Sequence, residues 1–184
     1  KLDRYGNVGA FALVILLNYL ATAVPLGGRT TGEISDGYFS MFTPTGFTFA
    51  IWGVIYLALF GFVIRQLMQR EEGSQSLSQI SGLFKLNCLA NVGWILAWHY
   101  DQLEVSMVLM VVILWTLIKI NAILNSDGSI VGAWNFVLLI LPFNIYFGWI
   151  SVASIANISI LQSAYGLNDF LLSQQTWTVL KLGL

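Results

Sequence analysis

Long apolar stretches follow one another along the chain, separated by short polar interruptions. A hydrocarbon core about 30 Å thick takes about 20 apolar residues in helical form. Stretches of about that length fall at residues 8–24, 46–68, 83–100, 103–124 and 130–162. The last is long for one crossing and contains Pro142, which predicts a kink whose freed carbonyl a neighbouring helix satisfies. The connections fall at 25–45, 69–82, Asp101–Gln102 and 125–129, with a Ser- and Gln-rich loop at Gly73–Ser81. The pattern predicts an all-α, multi-pass membrane bundle of five helices over residues 1–162. The tail, 163–184, ends in the apolar run "WTVLKLGL", which predicts the start of a sixth helix and more chain beyond it.

Polar and aromatic groups inside these stretches fall on stripes. Phe49, Trp52 and Tyr56 stand at i, i+3 and i+7, directly after the turn at Pro44. Asn87, Asn91, Trp94 and Trp98 share one face of the third stretch, and Tyr146, Trp149, Ala153 and Asn157 one face of the fifth. Asn18 and Thr22 add an i, i+4 pair in the first. Taken singly, such residues are interhelical glue, worth about 0.6 kcal/mol each on average, or markers of the interfacial belt. Taken together they predict a lined cavity, because Trp52, Trp94 and Trp149 lie well inside their spans. Indole faces with a few amides suit a planar, mostly apolar ligand with polar edges. The candidate ligand-binding residues are Phe49, Trp52, Tyr56, Asn87, Asn91, Trp94, Tyr146, Trp149, Ala153 and Asn157. The loop "PLGGRTTGEISDGYFSMFTP" is expected to fold over the cavity mouth as a lid.

Charge sharpens the assignment. Only 9% of residues are charged and mean hydropathy is +0.77, too few charges for a water-facing surface. A net charge of −1 without a basic run gives no sign of nucleic-acid binding. The single cysteine, Cys88, excludes an internal disulfide and reads as a small apolar packer. Lys1, Arg4, Arg65, Arg70, Lys85 and Lys119 fall on one side, Arg29 and Lys181 on the other. That places the N-terminus in the cytoplasm (or stroma) and the long first loop on the opposite side. No Asp or Glu lies within a span away from its ends, which argues against proton- or sodium-coupled transport. His99 reads as an interfacial hydrogen-bonded residue, with axial ligation of a haem or chlorophyll metal as the alternative. Ala90, Gly93 and Ala97 make a small-residue stripe that predicts a homodimer through the third helix, with packing inside the chain as the competing reading.

At these residues the chain resembles the TspO/MBR family (translocator protein / tryptophan-rich sensory protein). The family's second-helix pattern, P-x7-W-x3-Y, reads here Pro44, Trp52, Tyr56. Its third-helix pattern, Q-x3-N-x2-W, reads Asn91 and Trp94, with Asn87 in place of glutamine. Its fifth-helix pattern, Y-x2-W-x3-A-x3-N, is matched at full spacing by Tyr146, Trp149, Ala153 and Asn157, while the proline near that tyrosine is displaced to Pro142. The resemblance implies a five-helix TspO-like bundle, often dimeric, with a pocket under the first loop lined by Trp52, Asn91, Trp94, Tyr146, Trp149 and Ala153. It implies a porphyrin, haem or chlorophyll-type tetrapyrrole as ligand, and a sensor, carrier or receptor role in transport. "NISILQSAYGLN" lacks the aromatic–basic pair of the family's sterol motif. The alternative is a structural or pigment-binding subunit of a larger membrane complex, such as a photosynthetic or respiratory one. Enzymatic porphyrin breakdown is a weaker third reading.

Overall fold

A computed structural model describes residues 3–24, 26–38, 46–68 and 75–167, together with 176 and 179. The described residues are helical or turn, with no strand among them. Five helices are long and apolar enough to cross a membrane. They are α1 (Arg4–Ala23), α3 (Ile51–Met68, entered through a 3-10 segment Gly46–Ala50), α4 (Gln75–His99), α5 (Leu103–Ser126) and α6 (Ala133–Ala164). A short helix, α2 (Thr31–Asp36), lies in the first connection. The turn at Pro44 and almost all of the tail predicted as a sixth helix fall outside the described residues.

α4 is the centre of the bundle. It packs along α1 on one side and α5 on the other; α5 packs on α6, and α6 on α3. The ring closes where α3 meets α1, and that seam is the sparsest of the five. Leu16, Leu57, Phe60, Val108, Val111 and Trp115 project outward from the spans, as expected where the surrounding solvent is lipid. The half of the bundle holding the N-terminus has an aromatic centre. Phe62, Phe84 and Phe143 meet there with ring centroids 4.7–6.1 Å apart. Beside them, Ser81 Oγ donates to Asn7 Oδ1 at 3.1 Å and Asn7 Nδ2 donates to Gln66 Oε1 at 3.0 Å, tying α4 to α1 and α1 to α3.

Two local features differ from the sequence expectation. α4 starts at Gln75, not near Leu83, so most of the expected Ser/Gln loop is helix. Leu77, Ile80 and Phe84 bury one face, and the polar residues find partners: Ser76 Oγ donates to Asp127 Oδ2 at 2.5 Å, and Ser81 bonds Asn7. In α6 the disturbance is a π-helical turn, Phe136–Ile140, immediately before Pro142. The proline ring crowds the carbonyl four residues back, and a wider turn makes room for it. Gly61 of α3 faces this turn, where a Cβ would lie 3.1 Å from Leu138. The small-residue stripe packs in part within the chain. Ala90 and Ala97 are buried, and a Cβ at Gly93 would lie 3.1 Å from Leu109 of α5. Gly93 is itself half-buried and stands in line with the outward-facing Leu86, Leu89 and Leu96, so this edge of the stripe stays open to a second copy.

The first turn of α1 carries a pH-sensitive device. Asp3 caps the helix by accepting from the Gly6 amide at 2.9 Å and pairs with the Lys85 ammonium at 2.6 Å. The Lys85 hydrogen bond, then the Gly6 amide, hold this carboxyl below its ordinary range. Its folded pKa lies below the unfolded value of about 3.9, so the contribution is complete above that value and lost as pH falls through the folded one. Hydrogen exchange at the Gly6 and Asn7 amides is expected to stay flat from pH 7 to pH 5, after correction for intrinsic rates. Below about pH 4 it should rise. Asp3→Asn should show the faster exchange already at pH 7; a rise near pH 6 in the parent protein would point to another group.

Candidate functional site

The other half of the bundle is built around Trp52. α3 enters through its 3-10 segment and presents Phe49, Trp52 and Tyr56 inward, toward α4 and α6. The Trp52 ring stacks on Tyr56 at 5.4 Å and leans on Trp94 at 6.0 Å. It meets Tyr146 at 5.7 Å and Trp149 at 6.2 Å edge to face. Phe49 meets Trp149 at 6.0 Å, and Trp94 stacks on Trp98 at 5.6 Å. The three tryptophans expected to converge therefore do so, on a chamber walled by Phe49, Trp52, Trp94, Trp98, Trp149, Ala153 and Asn157 and roofed by Ser35 of α2.

The amides serve mainly to fix these walls. Asn18 Nδ2 donates to Asn91 Oδ1 at 3.0 Å, and Asn91 Nδ2 donates to the Tyr146 hydroxyl at 3.0 Å. This relay joins α1, α4 and α6 and sets the Tyr146 ring against Trp52. Asn157 exchanges hydrogen bonds with Ser106 of α5 at 3.2 and 3.4 Å while still lining the chamber. Asn87 stands apart. Its amide donates to Thr116 Oγ1 at 2.7 Å and to the Ile113 carbonyl at 3.3 Å, both on α5, and it lines neither the chamber nor the groove described below. His99 is buried with Nδ1 on the Ile95 carbonyl at 2.8 Å, also away from the chamber lining.

The roof is held by specific contacts. Thr30 and Glu33 form a reciprocal capping box at the start of α2, and hydrogen bonding from Thr30, its backbone N–H first, holds the Glu33 carboxyl below the usual range. Ile34 and Ser35 point inward and are buried. Trp98 Nε1 donates to the Thr31 carbonyl at 3.2 Å. Arg29 pairs with Asp101 in the α4–α5 turn, and the Tyr38 hydroxyl approaches the same carboxylate at 3.4 Å. Gly27 has φ +66°, and a Cβ there would stand 2.6 Å from the His99 carbonyl, so the chain leaving α1 can lie this close to the end of α4 only with glycine.

Two properties of the chamber bear on what it can do. First, it is small, with a volume of about 20 Å³, room for about one water. Second, Ser35 Oγ, Trp94 Nε1 and Trp149 Nε1, all on residues of its lining, are buried without a hydrogen-bond partner. Buried polar groups are overwhelmingly paired; these three belong to residues of the lining, behind a chamber surface that is itself almost wholly apolar. Outside it, between α1, α2 and α3, lies a groove of about 680 Å³ that shares Phe49 and Trp52 with the chamber as a common wall. The sequence reading did not select Ser35, Ala156 or Ile160. Ala156 and Ile160 continue the Trp149–Ala153 stripe at i+7 and i+11 from Trp149, a signal that was present; Ser35 had none, because its short helix sits in a glycine-rich loop.

The sequence model of one protein family, described as TSPO-like protein, matches residues 4–184. No curated protein and no solved structure compared with the chain matches it.

Proposed function

The chain belongs to the TSPO-like protein family, and on that footing we propose that it binds a planar tetrapyrrole of the porphyrin type in its aromatic chamber, as a membrane carrier or sensor. The observation that carries this reading is the set of orphaned donors, Ser35 Oγ, Trp94 Nε1 and Trp149 Nε1, around a space walled by indole rings. Ring faces take a flat apolar body, and the donors take acceptors on its edge. A macrocycle does not fit about 20 Å³, but the adjoining groove of about 680 Å³ is within the usual range for ligand sites. Turning Phe49 and Trp52, the shared wall, merges the two. Among the described residues, Glu33 and Asp36 are the charged groups lining the groove, so porphyrin carboxylates have to lie outside it. Lysine and arginine placement supports a cytoplasmic N-terminus, with α2 on the opposite side of the membrane.

Titration of the protein in lipid nanodiscs with protoporphyrin IX tests this. A saturable red shift of the Soret band at one porphyrin per chain is expected, with the dimethyl ester binding at least as tightly as the diacid. Partition into nanodiscs no greater than into empty ones would end the proposal.

A further inference from the structure

The seam between α1 and α3 carries a second feature that the chamber does not use. Below the groove under α2, the same seam continues as an apolar trough of about 460 Å³, lined by residues such as Phe11, Phe60, Val63 and Leu67. Ile15 and Tyr19 line both, so trough and groove are continuous. From Val8 to Thr22, the α1 positions that bound them, the path follows about 21 Å of helix at 1.5 Å per residue, longer than one leaflet's half of a hydrocarbon core of about 30 Å. The path is graded. Its deep end is apolar. Its upper end carries the hydroxyls of Tyr19, Thr22, Thr30 and Thr31 and the carboxylates of Glu33 and Asp36, and no lysine or arginine lines either part among the described residues.

We propose that this seam is a binding site for one phospholipid with a quaternary ammonium head, its acyl chain in the α1/α3 trough and its head group under α2. The lipid source follows from the position, an opening onto the bilayer between two spans that pack sparsely. The head follows from charge. Glu33 is held ionised by its capping box, and Asp36 is exposed and makes no ion pair among the described residues. Two carboxylates in a groove also lined by Phe49, Trp52 and Tyr56 favour a cation, by Coulomb attraction and by what the rings' quadrupoles add. An anionic head such as phosphatidylglycerol meets repulsion there. The chain length follows from the trough.

Delipidated protein, supplied with phosphatidylcholine or phosphatidylglycerol of identical chains, is examined by native mass spectrometry. One phosphatidylcholine per chain is expected to survive at collision energies that strip phosphatidylglycerol. Ile15 and Ala12 are exposed to lipid, so Ile15→Trp and Ala12→Trp fill the trough without touching the core. Each should cut the retained phosphatidylcholine by about fivefold or more. Asp36→Lys should move the preference toward phosphatidylglycerol by about tenfold. Equal retention of the two lipids by the parent protein would overturn the head-group assignment. Unchanged retention in both tryptophan variants would overturn the site itself. Neither measurement uses porphyrin, so the two assignments are tested separately, although both ligands draw on the groove under α2 and would compete for it.

Discussion

Trp52→Ala is expected to weaken porphyrin binding by at least about tenfold, the largest effect of any single wall residue. Trp52 is the ring that touches Tyr56, Trp94, Tyr146 and Trp149 at once, and it lines both the chamber and the groove. Aromatic pairs contribute about 0.5–1.5 kcal/mol each beyond the area they bury. A ligand that slides between these rings replaces such pairs with its own, so removing the hub removes several contacts together. At about 1.4 kcal/mol per tenfold, two lost pairs already suffice. Trp52→Phe keeps a ring and should lose less. Trp115, outward-facing on α5, is the control for general effects of tryptophan loss: Trp115→Ala should bind as the parent does. Soret titrations in nanodiscs read all three. If Trp52→Ala and Trp115→Ala bind alike, the chamber is not the porphyrin site.

The sequence made the spans and the aromatic convergence legible for the same physical reason. Apolar length dictates a crossing, and the 3.6-residue period dictates which side chains share a face. Trp52, Trp94 and Trp149 needed nothing more to be placed on one space. Asn87 shows where the period stops being informative. It lies about 40° around the helix from Asn91, yet it serves α5 while Asn91 serves α1 and α6. α4 is central, so nearly every one of its faces is buried, and a polar stripe on such a helix does not say which neighbour it meets. The Ser/Gln stretch before Gly82 misled for a related reason. Its polarity looks like a loop until Asn7 and Asp127, distant in sequence, supply the hydrogen bonds. The small volume of the chamber and the α1/α3 groove beside it depend on how far helices splay, and no local pattern encodes that. The capping box at Thr30 and Glu33 was written in the sequence as T-x-x-E, but the glycines around it hid a short helix.

Asn91→Ala is expected to cost about 2 kcal/mol of stability and to act mainly through Tyr146. The Asn91 side chain accepts from Asn18 and donates to the Tyr146 hydroxyl, joining three spans at a fully buried point. Interhelical hydrogen bonds in membranes average about 0.6 kcal/mol and reach about 1.7 in double-mutant cycles. Truncating the shared residue costs more than one such bond, because it leaves the Tyr146 hydroxyl without its donor and opens space beside it. Asn18 is less affected, since its amide also donates to the Val14 carbonyl at 2.9 Å. Tyr146→Phe alone should cost roughly 1 kcal/mol, and in an Asn91→Ala background it should be nearly silent or slightly stabilising, because the orphaned hydroxyl is gone. Unfolding measured in bilayers for the parent, the two single variants and the double variant gives the coupling. Additive costs, with coupling below about 0.3 kcal/mol, would show that the relay only accompanies the packing. A coupling near 1 kcal/mol, with porphyrin affinity reduced in Asn91→Ala but kept in Tyr146→Phe, would show that the amide sets the Tyr146 ring that backs Trp52 and that the hydroxyl takes no part in binding.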